Sequence, residues 1–195
     1  MSEQGFHKLK YKDKIYNVGD HLILRESNVK ILVWKLLEII PYGGLKDYEE
    51  WPAIRVQWYY HWSEIDCTAL GIPESDFIYM GENELFSSDH EEIVYIGFII
   101  GKCEVLSIQE YDNCEAIPDN TYYSRAKLIT KEDRLEPPYN EWETLCSCNK
   151  PMNPNLLTVG WDRCDRWYHP KWEGLSDESI QEIDTFVCSR CRGGR

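Results

Sequence analysis

Along the first 140 residues apolar and polar positions change over in short runs, the period of strands rather than of helices. Val18-Gly19-Asp20 reads as a turn into Leu22-Ile23-Leu24, Ile31 to Ile40 is a largely apolar run, and Ala53 to His61 alternates. Ile93 to Ile108 is long and apolar but broken by Gly97 and Gly101, as a bent barrel strand would be. Short strands with turn signals predict a mainly β fold, a barrel or sandwich. The stiff polar stretch Glu136-Pro137-Pro138-Tyr139-Asn140 ends the pattern. One helix is expected beyond it, capped by Ser176, with Asp177 and Glu178 in its first turn and Ile180 and Ile183 facing inward. No apolar run approaches the 18 or so residues of a membrane helix.

Cysteine usage divides the chain. Five of the eight cysteines follow residue 145, in close pairs with a histidine between them, and the N-terminal MSEQGFHKLK has no apolar core for export. A segment of about fifty residues buries too little apolar surface to fold by packing alone, so metal or disulfide bonds must add stability. Paired spacing in a reducing compartment favours Zn2+. Read in order, Cys146-Ser-Cys148, Trp161-Asp-Arg-Cys164, Trp167-Tyr168-His169-Pro-Lys-Trp172 and Cys188-Ser-Arg-Cys191 resemble a PHD finger in which Trp stands at two ligand positions. A RING finger would lack the Trp167-Tyr168-His169 signature.

The resemblance implies two interleaved zinc sites. One takes Cys146, Cys148, His169 and the Trp172 position; the other takes Cys164, Cys188, Cys191 and the Trp161 position. An indole N–H is a donor only and cannot ligate Zn2+, so each site is one ligand short of the usual four. Three explanations stay open: a degenerate finger, recruitment of Asp162 and Glu173 as oxygen ligands, or cysteine codons rendered as tryptophan. Eight Trp is a high count for 195 residues, and Trp34 and Trp142 fall under the same question.

The earlier region has its own ordered motifs: Tyr16-Asn-Val-Gly-Asp20, Val56-Gln-Trp58-Tyr59-Tyr60, Glu84-Leu-Phe-Ser-Ser-Asp89-His90 and Ile100-Gly-Lys-Cys-Glu-Val105. Together they resemble a bromo-adjacent homology (BAH) domain. Followed by the finger, the chain from about residue 14 to 192 is similar to the small BAH–PHD chromatin readers of plants. The domain limits that follow are a BAH domain at 14–135, a linker at 136–143 and the PHD-type finger at 144–192. The fold implied is a BAH β-barrel followed by a small zinc-stabilised cross-brace with a short C-terminal helix.

Alternation places Ile54, Val56, Trp58 and Tyr60 on one face of a strand, an aromatic pair that pattern alone would assign to the core. The resemblance implies instead that Trp58 and Tyr60 are two walls of a cage for trimethyl-lysine on the histone H3 tail. Quaternary ammonium makes no hydrogen bond and is held by π faces, each contributing about 0.5–2 kcal/mol. The third wall falls at Leu32, with Trp34, Tyr42 and Tyr48 as alternatives, and Asp89-His90 along the peptide channel. In the finger, the positions of the corresponding cage read Leu145, Met152, Thr158 and Trp167, of which Trp167 alone is aromatic. The finger is therefore expected in a supporting role, binding a tail by strand addition along 156–160.

Charge agrees with a basic partner. The formal net charge is −13, and from Glu141 onward nine acidic residues face seven basic ones, so most of the excess lies before that point. Such a surface repels DNA phosphates and attracts a Lys/Arg-rich tail. The expected partners are the H3 tail and subunits of a chromatin complex, in the nucleus, with neither direct DNA binding nor a membrane. A three-ligand zinc is also a catalytic arrangement, but no H-E-x-x-H or similar motif supplies a base, so no enzyme is expected. The other reading is a scaffold that kept the fold and lost recognition of the mark.

The finger generates the first prediction. If codons 161 and 172 specify cysteine, protein from the native host weighs less than this sequence requires and carries two zinc ions, each contributing about 10–16 kcal/mol to folding. Native mass spectrometry reads both quantities, and intact tryptophan at the two positions removes the codon explanation.

Overall fold

The computed structural model describes residues 6–25, 31–41, 52–144, 149–160, 167–170, 174–176 and 180. The chain forms two compact units, Met1–Gly71 with Asn83–Pro138, and Ile72–Glu82 with Tyr139–Arg195.

The first unit opens with a hairpin of β1 (Lys8–Tyr11) and β2 (Lys14–Asn17). Its turn residues Lys12 and Asp13 both take positive φ, as a two-residue turn matched to strand twist requires. Lys8 and Lys10 alternate with Leu9 and Tyr11 in β1, but Ile15 and Tyr16 stand side by side in β2, which interrupts the pattern after only four residues. Gly19, at φ 97°, then turns the chain into β3 (His21–Arg25). β4 (Ile31–Ile40) and β5 (Ala53–His61) coincide with the predicted runs. The long segment expected from Ile93 is divided: β6 (Leu85–Tyr95) ends in a 3-10 turn, Ile96–Phe98, and β7 (Ile99–Ser107) follows. Gly97 permits that turn, because a Cβ there would collide with the Tyr95 ring. The short helix α1 (Ile108–Asp112) starts at a capping box in which Ser107 Oγ accepts from Glu110 N and Glu110 Oε2 accepts from Ser107 N.

β8 (Thr121–Ser124), β9 (Lys127–Ile129) and β10 (Arg134–Glu136) complete an eight-stranded sheet of order β10-β9-β6-β5-β4-β3-β7-β8. The unit is mainly β. Its sheet curls, since a parallel bridge between Glu84 and Tyr123 brings the start of β6 to β8 at the opposite edge. Glu84 is fully buried and accepts from Arg125 Nε at 2.6 Å, Arg125 Nη2 at 2.9 Å and Tyr123 Oη at 3.1 Å.

One face of the sheet packs Leu22, Leu24, Trp34, Leu36, Ile54 and Val56 into the larger core, with Tyr16 from the hairpin upon it. A smaller cluster joins Val33, Tyr59 and Leu85 to Cys103, Val105 and Tyr122. His21 Nε2 lies 3.2 Å from Tyr59 Oη. Burial pushes the Tyr59 phenol and the Cys103 thiol each up to about 12, so both stay protonated at neutral pH.

The second unit ties a segment from the middle of the sequence to residues beyond Pro138. The 3-10 turn Glu74–Tyr79 carries Asp76, which is buried and accepts from Lys150 Nζ at 2.7 and 2.8 Å and from Tyr139 Oη at 2.8 Å. Burial alone would raise the Asp76 carboxyl, but the bonds from Lys150, Tyr139 and Ser75 outweigh it and hold the group below its ordinary range. Buried Asn153 donates to the carbonyls of Ile78 and Met80. Residues 72–82 thus fold with the C-terminal region although they lie inside the span expected for the first domain. β11 (Val159–Gly160) and β12 (Trp167–Tyr168) pair antiparallel. Ile180 N donates to Ser176 O at 3.2 Å where the capped helix was expected to start.

Two predictions follow from the packing. Arg125→Met leaves the Glu84 carboxylate buried without its cation and should destabilise the protein by about 3–5 kcal/mol, while Glu84→Gln in the same chain should restore much of that, as read by urea unfolding. His21 is held below its ordinary 6.5 by burial and by Lys35, against the opposing pull of Asp20. The unfolded chain therefore takes up this proton first as pH falls, so the stability contribution is complete above about 6.5 and is lost from there down to the folded value. His21→Phe should flatten that part of a plot of urea midpoint against pH.

Candidate functional site

The aromatic site is built on three neighbouring strands. Trp58 of β5 stands directly opposite Trp34 of β4, their ring centroids 5.1 Å apart and their planes at 52°. On its other neighbour the register shifts: Gln57 faces Glu91 and Tyr59 faces Ser87, so Trp58 stands against the bulged stretch Ser88, Asp89 and His90 of β6. Buried Ser88 holds the bulge, its Oγ donating to Trp58 O at 2.9 Å and accepting from His90 N at 3.1 Å. The bulge aims His90 at Trp58, with rings 5.3 Å apart and 10° from parallel.

Tyr60 lies on the same face as Trp58, as alternation predicts, at 5.9 Å and 22°. Its hydroxyl is 2.6 Å from His90 Nδ1. Trp58, Tyr60 and His90 are therefore three nearly parallel rings joined by contact and hydrogen bonding. Asp89 turns away from them: its Oδ1 accepts from both the backbone N and the Oγ1 of Thr130 at 2.7 Å, and these bonds hold its carboxyl below the usual range.

On the Trp34 side of Trp58 is a cavity of about 310 Å³. Its aromatic walls are Trp34, Trp58 and Phe98; Leu24, Leu32 and Val94 supply the aliphatic lining, and Glu92 contributes the charge. Glu92 Oε2 accepts from Trp58 Nε1 at 3.1 Å. Phe98 is 54% exposed, carried to this position by the turn between β6 and β7. Trp34 is buried, and its Nε1 has no acceptor among the described residues. Leu32, at the position expected for the third wall, is buried and lines this cavity, whereas Tyr60, Asp89 and His90 do not. Trp34 was one of the alternatives for that wall; Tyr42 and Tyr48 lie outside the described residues. Glu92 and Phe98 carried no local signal, because the cavity is assembled across strands.

A second, wider cavity of about 620 Å³ runs past Asp20, His21, Lys102, Glu104 and Asp119. Lys102 pairs with Asp20 there, and Glu104 N donates to Asn120 O, so its polar groups are used in part by the fold.

Of the metal positions only His169 lies among the described residues; Cys146, Cys148, Cys164, Cys188, Cys191, Trp161 and Trp172 lie outside them, as do Asp162 and Glu173. His169 is buried beside Tyr79, their rings 5.3 Å apart, and burial lowers its pKa, which favours the neutral imidazole a metal requires. Trp167 is 51% exposed next to Gly160, and Leu156 N donates to Asn153 O in a turn, so within the stretch considered for strand addition only Val159–Gly160 is strand.

The BAH domain profile matches residues 14–137. Chromatin remodeling protein SHL of Arabidopsis thaliana is 27% identical over 95% of this chain and 76% of its own length. Chromatin remodeling protein EBS of the same plant is 28% identical over 97% of this chain and 76% of its own length. Among solved structures, the BAH domain of yeast Rsc2 aligns with a TM-score of 0.44 and 15% identity, over 67% of this chain and 53% of that one. With its matched region covering most of the described β structure, the chain belongs to the BAH domain family.

Proposed function

We propose that this protein is a nuclear histone reader whose BAH domain binds a methylated lysine of the H3 tail at Trp58, with the C-terminal unit in a supporting role as a PHD-type zinc finger. The observation that carries this is the cavity beside Trp58. Two indoles meet there at 52° over aliphatic walls, with a carboxylate among the lining residues. Its volume of about 310 Å³, at the small end for ligand pockets, accommodates the end of one side chain. A methylated ammonium gains from π faces and apolar walls, and loses less than an unmodified lysine on leaving water. The formal charge of −13 draws in a basic tail and opposes DNA. Both plant relatives are named as chromatin remodeling proteins, which supports a chromatin setting and partners among chromatin complex subunits. Among the described residues lining the cavity none is a nucleophile paired with a base, which supports reading it as a binding module.

Calorimetry of the full chain with H3-tail peptides tests this. The full chain is required because residues 72–82 fold with residues beyond Pro138. A methylated peptide should bind more tightly than its unmodified counterpart, and Trp58→Ala should weaken it by about two- to thirtyfold, one lost π contact, without unfolding the protein. Equal affinity for methylated and unmodified peptides would leave the scaffold reading in its place. Unfolding of the variant would return Trp58 to the core.

A further inference from the structure

We infer that Glu92 sets the methylation state this cavity takes, favouring dimethyl-lysine, which keeps one N–H, over trimethyl-lysine, which has none. This rests on the preceding reading of the cavity as a methyl-lysine site and concerns the ligand's chemistry within it.

The Glu92 carboxylate has two oxygens, and among the described residues one of them is engaged. Oε2 accepts from Trp58 Nε1 at 3.1 Å, which fixes the carboxylate against the indole edge. Among the described residues Oε1 has no hydrogen-bond or ion-pair partner, although Glu92 lines the cavity with Trp34, Trp58 and Phe98. A carboxylate held by one oxygen beside an apolar cavity presents the other as an acceptor. Leu24, Leu32 and Val94 offer no second acceptor.

That inventory discriminates among lysine states. An unmodified ammonium brings three N–H donors, and an aliphatic and aromatic lining leaves most of them unpaired on desolvation. A trimethylammonium suits the indoles, but it has no proton to give Glu92 and meets it through charge attraction alone. A dimethylammonium brings two methyl groups for the aromatic walls and one N–H for one free oxygen. Hydrogen bonds to charged groups are the strong ones, so this match is worth about tenfold in affinity.

The stacked rings on the other side of Trp58 do not offer the same choice. Trp58, Tyr60 and His90 lie 5.3–6.2 Å apart and nearly parallel. Ring faces need about 3.5–4 Å for mutual contact alone, so no methylammonium fits between them without separating the rings. Trp34 belongs to the open side as a cavity wall, its buried Nε1 without an acceptor among the described residues.

The experiment uses the full chain and H3-tail peptides that each carry one lysine as the unmodified, mono-, di- or trimethylated form, measured by calorimetry against wild type and Glu92→Gln. Glu92 is exposed, so the substitution should leave the thermal midpoint unchanged, which a melting curve checks. The expected result is dimethyl binding about tenfold tighter than trimethyl in wild type, and a ratio within about twofold in Glu92→Gln, where the charge assistance is gone. Trimethyl binding equal to or tighter than dimethyl in wild type overturns the inference while leaving the reader function standing, as does a dimethyl preference that Glu92→Gln does not change. If no methylated peptide outbinds the unmodified one, the functional reading falls first and this inference with it.

Discussion

The ion pair that joins Glu84 to Arg125 is the constraint on which the rest of the first unit depends. Both side chains are almost wholly removed from water, and Tyr123 completes the carboxylate's hydrogen bonding. A charge at that depth is tolerable only with its partner in place, so the pair fixes where the beginning of β6 meets β8. From there β6 runs beside β5, and its bulge falls opposite Trp58. One segment thus carries the buried ion pair at its start and, where Ser88 holds the bulge, the aromatic site.

Around Trp58 the protein uses both sides of one indole differently. On one side His90 and Tyr60 stack and are joined by a hydrogen bond between Tyr60 Oη and His90 Nδ1. On the other, Trp34 and Trp58 diverge and leave an apolar space with a single anion among its walls. The first arrangement supports the second: a Trp58 held by His90 and by Glu92 has little freedom to collapse into the cavity. Preorganisation of this kind lowers the cost of ordering a wall when a ligand enters.

The second unit shows a different dependence. Asp76 and Asn153 are buried polar groups whose partners lie some seventy residues away in sequence, and neither set could be left unpaired without a desolvation penalty of about 1–3 kcal/mol per group. Residues 72–82 and the region after Pro138 are thus one folding unit although a sequence boundary separates them.

Local pattern made several elements legible. The runs at 31–40 and 53–61 are β4 and β5, Gly19 turns the chain where the triplet Val18-Gly19-Asp20 indicated, and Trp58 shares a face with Tyr60, because each depends on side-chain period or on the φ of one glycine. The sequence S-x-x-E at 107–110 announced α1 equally well, though strand periodicity dominated that stretch. The order of the motifs carried family membership. What no local window held were the division of the 93–108 run by the Tyr95 ring over Gly97, the bulge that sets His90 on Trp58, the allegiance of residues 72–82, and the meeting of Trp34, Phe98 and Glu92 around one space. Alternation determines which face a side chain takes. Register, bulges and the pairing of buried charges decide which neighbours it meets there, and those are settled only when distant strands come together.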